Sequence, residues 1–293
     1  RILQSWMTDR LHNASNAVQS GTFVASMLNQ SLATNYNSAD TTVIADAGKG
    51  VILRGGYRYV WGDAFDTVLP AEGIPAVNHE SISRQAALGG ATWRPIQKLS
   101  LIGEFELGTS TGQYFRTSLY NYKKLRAMAR YQLLDTLNIS ADYSILSNKD
   151  PNLSSAYKYL NHRESATLIW TPKKKNYNLE ATYEHCGYHS QISYLNPELL
   201  TPDLSVYTEY CHGVTALLHA AYGKVEVSGG GAVSLVSGSR PTAYYQPTAR
   251  ASYAVRKNMG LFAEWRYYGL SEAFYVFESF RAQTLTAGLR FTR

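Results

Sequence analysis

The sequence lacks any run of apolar residues long enough to form a membrane-spanning helix, and charged residues are scarce. A transmembrane helix needs about 18 or more consecutive apolar residues, so a helical membrane protein is excluded. Charged residues make up 17% of the 293 residues, whereas soluble domains usually contain about 25%. Cysteine is limited to Cys186 and Cys211.

The signature motifs of common chemistries are also lacking. There is no C-x-x-C-H, so this chain attaches no c-type haem itself. There is no Gly-rich phosphate loop and no G-x-S-x-G elbow. His79, His162 and His189 are expected in loops near serines, but nothing in the sequence sets a catalytic triad. We therefore predict no enzyme activity, no cofactor and no metal, and an outer-membrane enzyme is kept only as a second alternative.

The net charge of +6 does not indicate a nucleic-acid partner. Nucleic-acid binding requires basic residues that cluster on one face. Here they alternate with acids or lie in turns such as 173–175. Tyrosine, in contrast, is abundant, with 23 residues against 9 Phe and 5 Trp. Its apolar ring and polar hydroxyl suit a membrane interface, although tyrosine also favours strands in soluble sheets.

Apolar and polar residues alternate through much of the chain, as in residues 99–107, 125–131 and 137–143. A period of two is typical of a strand with one apolar and one polar face. Two weaker strands are predicted at 21–28 and 42–47, with a loop at 29–40 between them. The twelve stronger strands are predicted at 51–61, 83–93, 98–107, 122–132, 136–146, 163–171, 177–187, 207–221, 225–236, 244–255, 260–268 and 282–291.

Short and long connections alternate between these strands. Tight turns are predicted near 95–96, 134–135, 172–176, 222–223 and 256–258, and the segments between them, such as 237–243, are predicted to be longer loops. This alternation is typical of bacterial outer-membrane barrels, whose short turns face the periplasm. The predicted fold class is therefore an all-β, antiparallel up-and-down transmembrane β-barrel of about 12–14 strands. Residues 1–20 are predicted to be an irregular lead-in and residues 21–293 the barrel.

The two phases of the alternation predict two different surroundings. Residues such as Leu101, Ile139, Leu179 and Leu261 are predicted to face outer-membrane lipid. Most strand charges fall in the other phase, which we predict to line the lumen, and Arg250 and Glu264 are expected to pair there. The predicted lumen-lining residues are Arg54, Arg58, Glu104, Glu106, Lys124, Arg126, Arg130, Asp142, Glu180, Glu184, Glu226, Arg250, Glu264, Arg266 and Arg290.

Cys186 and Cys211 flank one long loop, within the segments 184–187 and 210–213. If they lie opposite each other, His185 and His212 do so as well, with the cysteines in the lumen phase and the histidines in the lipid phase. A disulfide between two cysteines in facing strands is predicted for an exported protein. A Cys/His metal site is the alternative, but the opposite phases of the two pairs argue against it.

The C-terminal segments 264–269 and 280–293 resemble the closing strand of outer-membrane barrels, although Phe291 is third from last where that family commonly ends on an aromatic residue. Residues 55–61 resemble a barrel strand with its aromatic girdle. The resemblance covers roughly residues 50–293 and implies location in a bacterial outer membrane. More loosely, the chain resembles the C-terminal part of large barrels that sheathe multihaem cytochromes.

Besides an outer-membrane enzyme, two functions are compatible with these observations. The first is a channel or transport pore with a charged lumen. The alternative is a sheath that holds a protein partner, such as a multihaem cytochrome, in the lumen or at the periplasmic side. A barrel must pair its first and last strands, because open edges are costly in lipid. Since the chain begins with Arg1 rather than Met, we expect a leader upstream. We also expect one of two outcomes for the edges of the sheet: either the first and last strands pair and close the barrel, or the chain is part of a larger barrel.

Overall fold

The structure, a computed structural model, describes most of the chain as strands. The described residues are 2–13, 17–19, 22–24, 30–68, 76–111, 119–151, 156–173, 176–195, 201–274 and 276–291. The strands are β1 Ile2–Asn13, β2 Ala17–Gln19, β3 Thr22–Val24, β4 Gln30–Gly48, β5 Val51–Val68, β6 Ala76–Ile96, β7 Leu99–Ser110, β8 Asn121–Leu134, β9 Leu137–Asp150, β10 Tyr157–Trp170, β11 Tyr177–Leu195, β12 Pro202–Tyr222, β13 Val225–Gly238, β14 Thr242–Arg256, β15 Met259–Glu272 and β16 Phe280–Phe291.

Fourteen of these strands form one sheet in which each strand is antiparallel to its neighbours along the chain, while β2 and β3 form a separate small hairpin. This up-and-down order confirms the predicted all-β fold class and the predicted number of strands. β1 and β16 are the two edges of the sheet, and among the described residues no backbone ladder joins them. Closure of the barrel therefore stays a prediction.

The connections alternate between the two ends of the sheet. Five two-residue turns, at 49–50, 97–98, 135–136, 223–224 and 257–258, lie at one end, which we call the turn end. At the first of them, Gly48, Lys49 and Gly50 all have positive φ, a conformation that glycine adopts without steric cost. The connection from Trp170 of β10 to Tyr177 of β11 also lies at the turn end. The other connections lie at the opposite end, the loop end, and most of them are longer, as predicted.

One predicted long loop is wrong. Residues 237–243 were expected to form a loop, but Ser237 and Gly238 pair with β12 and Thr242 pairs with β13, which leaves only 239–241 between the strands. The same extension lengthens β5, β6, β11 and β12 at the loop end. Backbone ladders continue there although the side chains no longer alternate, because ladder bonds join main-chain groups and do not depend on side-chain polarity.

The prediction for the N-terminal region is also wrong in part. Residues 2–13, expected to be an irregular lead-in, form β1, and residues 30–40, expected to be a loop, belong to β4. Twelve directly opposite residue pairs join β1 to β4. A segment rich in Asn, Ser and Thr has a weak intrinsic preference for strands, and pairing with a neighbouring strand overrides it. Of the weak strand predicted at 21–28, Thr22–Val24 is observed as β3, and residues 21 and 25–28 lie outside the described residues.

The ladder registers assign each side chain to one of two faces, because directly opposite residues point to the same side of a sheet. We call the face that carries Leu101 the apolar face and the face that carries Glu104 the charged face. Strong contacts join only neighbouring strands, so the described sheet is a single layer. Apolar side chains on its apolar face are consequently exposed, for example Leu218 at 49% and Leu289 at 56%.

None of the helical segments among the described residues is long and apolar enough to cross a membrane.

Candidate functional site

All fifteen residues that the sequence predicted to line a lumen lie on the charged face. The pairs Arg54–Gly90, Gly90–Glu104 and Glu104–Arg126 lie opposite each other and carry this face from β5 to β8. The ladders from β8 to β16 continue it through Asp142, Glu184, Glu226, Glu264 and Arg290. That this face borders a lumen stays a prediction, but the concentration of most strand charges in one phase is a property of the sheet.

Arg58 is the centre of an ion-pair group on β4, β5 and β7. Its Nε lies 2.8 Å from Oδ1 of Asp40, and its Nη1 lies 3.1 Å from Oε1 of Glu106. The hydroxyl of Tyr122 donates a hydrogen bond of 2.6 Å to the same Glu106 oxygen. Arg58 and Glu106 are partly buried, so these bonds are less screened than pairs in open water. The sequence predicted Arg58 and Glu106 but missed Asp40 and Tyr122.

Further ion pairs continue across the charged face. Arg54 Nη1 lies 3.4 Å from Glu104, and Arg126 Nη2 lies 2.9 Å from Asp142. Arg163, which was not predicted, pairs with Glu184 at 2.5 Å. The expected pair of Arg250 and Glu264 is confirmed at 3.7 Å, and Arg266 contacts the same carboxylate. Except for Arg266 and Glu264, which are both on β15, these pairs bridge strands, and they neutralise part of the charge of this face.

Several of the predicted charges have no such partner. Among the residues the structure describes, Lys124, Arg130 and Arg290 form no ion pair, and Glu180 forms none. Lys124 lines a concavity together with Arg54, Arg58 and Glu106, and Arg130 and Arg290 line two others. Charges that are not neutralised by neighbours contribute most to the electrostatic potential at this surface.

A tyrosine cluster on the charged face was missed by the sequence analysis. Tyr157, Tyr159, Tyr188 and Tyr207 lie at the loop ends of β10, β11 and β12, with ring centroids 5.4–6.1 Å apart along the series. The hydroxyls of Tyr157 and Tyr188 are hydrogen-bonded at 2.9 Å. The abundance of tyrosine hinted at such a cluster, but only the strand registers bring these four together.

A second group at the loop end ties together two connections. Glu272, at the end of β15, is only 3% exposed and accepts hydrogen bonds from Arg240 Nε at 2.7 Å and from the backbone N–H of Phe274 at 3.1 Å. Burial by itself raises the pKa of the Glu272 carboxyl, but the bonds from Phe274 and Arg240 outweigh it and hold this pKa below its usual value. The stabilisation is therefore present above the usual pKa and is lost as the pH falls through the lowered pKa.

The two cysteines lie where the sequence placed them. Cys186 and Cys211 are directly opposite residues of β11 and β12, on the charged face. Both are free thiols in the structure, and Cys211 Sγ lies 3.2 Å from Ser234 Oγ. The predicted juxtaposition is confirmed by the register, and the disulfide itself stays a prediction.

The apolar face carries a polar cluster that the sequence did not predict. All three histidines expected in loops lie instead within strands: His79 in β6, His162 in β10 and His189 in β11. His162, Glu164 and His185 point to the apolar face and approach one another closely. His185 stacks on His212, with ring centroids 4.6 Å apart, and His212 Nδ1 is hydrogen-bonded to the Tyr183 hydroxyl at 2.9 Å. We call His162, Glu164, His185 and His212 the histidine cluster.

No protein-family model matches the chain, and no curated protein matches it. Solved structures that it is similar to include OmpT, an outer membrane protein of Vibrio cholerae, with 8% identity, a TM-score of 0.41 and coverage of 99% of this chain and 96% of that one. A porin has 12% identity, a TM-score of 0.37 and 99% coverage of both chains. The beta domain of the Bordetella autotransporter BrkA has 14% identity, a TM-score of 0.25 and coverage of 100% and 98%.

Proposed function

We propose that this chain forms the wall of a water-filled pore in a bacterial outer membrane, with its apolar face against lipid and its charged face toward the lumen. The observation that carries the proposal is the segregation of charge within a single-layer sheet. All fifteen charged residues named for the charged face share it, whereas the apolar face carries exposed side chains such as Val233, Leu261 and Leu289.

The free energies of the two faces favour this orientation. Large exposed apolar patches are rare on monomeric soluble proteins, because water solvates them poorly. No second layer of described residues covers the apolar face here. Conversely, a basic side chain at the bilayer midplane costs about 2–4 kcal/mol, so Arg54, Arg126 and Arg250 are compatible with a membrane only if their face is hydrated.

Aromatic residues on the apolar face support the same orientation. Tyr253 lies near the turn end of β14 and Tyr245 near its loop end, eight residues away on the same face. At about 3.4 Å per residue this separation is roughly 27 Å along the strand. Tyr245 stacks on Tyr267 of β15 at 6.2 Å. Because strands of outer-membrane barrels tilt by about 35–45°, 27 Å along the strand corresponds to roughly 20 Å of height, and these barrels carry an apolar band about 25 Å tall between two aromatic girdles.

The proposal requires that the edges of the sheet be paired in the membrane. Each unsatisfied backbone group costs several kcal/mol in the hydrocarbon region, so β1 and β16 need partners there. Pairing with each other closes a barrel of fourteen strands, and pairing with further strands makes a larger one. A pore function is compatible with both outcomes.

Conductance of the purified protein in planar bilayers tests the proposal, and the chain offers a matched pair of variants. Lys124 lies on the charged face and its neighbour Lys123 on the apolar face. In a KCl gradient we expect Lys124→Glu to shift the reversal potential toward cation selectivity. We expect Lys123→Glu to leave it unchanged, because that side chain points away from the lumen.

Two results would contradict the pore. One is absence of conductance from protein that is folded in the bilayer. The other is an equal shift of the reversal potential in both variants. If the protein does not conduct and a haem protein co-purifies with it, the sheath alternative is supported instead.

A further inference from the structure

We infer that His162, Glu164 and His185 form a binding site for a divalent transition metal on the apolar face, with zinc as the best match. The three side chains come from two paired strands, β10 and β11. Each can offer one ligand atom, an imidazole nitrogen or a carboxylate oxygen, and these atoms all lie within 4.8 Å of one another.

The register holds the three residues together. Glu164 is directly opposite His185, and His185 Nδ1 lies 3.8 Å from Glu164 Oε2. His162 is two residues before Glu164 on the same face, and its ring lies 5.5 Å from that of His185 in an edge-on arrangement. Tetrahedral zinc with bonds of about 2.0–2.1 Å brings ligand atoms to roughly 3.3 Å. Binding of zinc would therefore require these side chains to rotate until their ligand atoms lie closer together than the present limit of 4.8 Å.

The backbone opposite His162 makes room for its ring. Gly187 is the residue directly opposite His162. A Cβ at this glycine would lie 2.1 Å from Cε1 and 2.6 Å from Nε2 of the imidazole. The ring therefore occupies the space that any other residue would fill, which directs it toward β11 and His185.

A further histidine supports the site from the next strand. His212 is directly opposite His185 and stacks on its ring at an angle of 24°. The hydrogen bond between the Tyr183 hydroxyl and His212 Nδ1 holds the His212 ring in place. Partners of this kind orient metal-binding histidines and affect affinity without binding the ion. We assign His212 this positioning role.

The chemistry of the ligand set favours zinc. Two imidazoles and one carboxylate are a common zinc ligand set that leaves a fourth position for water or another ligand. Copper and nickel also bind imidazole, and in the general order of affinity for divalent ions copper lies above both nickel and zinc. Calcium and magnesium, which prefer sites built from oxygen, are poor matches.

The position of the cluster on the apolar face gives a reason for a bound cation. The lysines of this face, Lys123, Lys149 and Lys158, lie at the loop end. Glu164 is seven positions inside β10 from that end, among apolar neighbours such as Tyr143 and Ala166. A carboxylate there is costly unless it is paired. A divalent cation bound with two neutral imidazoles would pair with it, and an anionic fourth ligand such as hydroxide would balance the remaining positive charge.

This inference does not depend on the proposed pore. The site is built entirely on the apolar face, so its occupancy neither requires nor predicts conductance. A protein that conducts without binding metal would overturn only the metal site, and a metal-binding protein without conductance would overturn only the pore.

Zinc titration of the purified protein, expressed without a histidine tag and folded in detergent, tests the site. Isothermal titration calorimetry with Zn²⁺ alone should give one ion per chain. The variants His162→Ala, Glu164→Gln and His185→Ala should each weaken binding more than tenfold. The control His219→Ala removes a histidine on the charged face of β12 and should leave the affinity within twofold. Co²⁺ should give a tetrahedral visible spectrum that the same three variants abolish.

The site is overturned if the wild-type chain binds no zinc under these conditions. It is also overturned if His219→Ala weakens binding as much as His162→Ala, since that would indicate scattered surface histidines. Glu164→Gln is nearly isosteric and is expected to preserve the fold, so an unchanged affinity in this variant would remove the carboxylate from the ligand set.

Discussion

The apolar face of β7–β9 and that of β10–β12 are built on the same ladder but differ in chemistry. One row of directly opposite residues crosses both regions. In order, the row contains Gly103, Ala127, Tyr143, Glu164, His185, His212 and Leu235. The β7–β9 part is typical of a lipid-facing wall, and the β10–β12 part is the histidine cluster. The alternation of a strand therefore decides which face a residue occupies, but it does not decide that every residue on that face is apolar.

The two regions also differ in how their side chains are held. Over β7–β9 the row consists of Gly103, Ala127 and Tyr143, and these described residues form no ion pair. These three also line a concavity that extends to Glu164 of β10. Over β10–β12 directional contacts connect Glu164, His185, His212 and Tyr183. A directional network of this kind is sensitive to single-atom changes, whereas an apolar surface tolerates them.

The largest effect is expected from placing a charge in the apolar region. Ala127→Arg, in the centre of β8, should lower the free energy of unfolding of the protein in lipid vesicles by about 2–4 kcal/mol, because the guanidinium would face hydrocarbon. Urea titration followed by tryptophan fluorescence measures this change. The adjacent Met128→Arg is the control, since Met128 lies opposite Asp142 on the charged face. Equal losses in both variants would contradict the assignment of the two faces.

The reverse change, which makes the polar region apolar, should have a smaller and opposite effect. In metal-free buffer Glu164→Leu is expected to raise the free energy of unfolding in vesicles by up to about 1 kcal/mol, because acidic residues on the lipid face cost less than basic ones. With zinc present the wild-type chain should gain stability and the variant should not. A variant that responds to zinc like the wild type would contradict the role of Glu164.

A more local change sharpens the comparison. Gly187→Ala places a methyl group where the His162 ring lies, so the ring must turn away from His185. We expect zinc affinity to fall about three- to tenfold, as measured by calorimetry. Gly229→Ala is the matched control on the same face, because the nearest atom to its Cβ would be 3.9 Å away. If both variants bind zinc as tightly as the wild type, the room made by Gly187 is irrelevant to the site.

The smallest effect is expected from the cysteines behind the cluster. Cys186 and Cys211 lie on the charged face, so Cys186→Ser and Cys211→Ser should change zinc affinity by less than twofold. Mass spectrometry after mild oxidation should show the loss of two hydrogens if the predicted disulfide forms, and this loss should be absent from either variant. A large drop in zinc affinity in a serine variant would indicate a mixed Cys/His site and would contradict the separation by face.

Much of the fold could be predicted from local patterns. The period-two alternation located strands such as β7, β8 and β9, and it assigned Arg58, Glu104 and the other charged residues to one phase. The register of the β11–β12 hairpin followed from the symmetric positions of Cys186 and Cys211 about their loop. These features depend only on neighbours along the chain and on the fixed geometry of a strand.

The N-terminal strands and the partners of the charged residues could not be predicted in the same way. β1 and the first part of β4 lack alternation, and their pairing comes from backbone bonds between segments. Asp40 joins Arg58 and Glu106 from a strand that was interpreted as loop, and Tyr122 joins them from β8. Such groups depend on which residues the ladder registers of several paired strands place next to one another, and no single segment of the sequence contains that information.

The sequence alone determined the class of structure, because alternation and turn spacing are local and repeat many times along the chain. It also determined which side chains share a face, since side-chain direction alternates strictly in a strand. Only the tertiary structure decided which residues of a face meet. His162 and Glu164 are close together on β10, but His185 on β11 is 21 or more residues away from both of them along the chain. The three come together because the ladder register between these two strands aligns them.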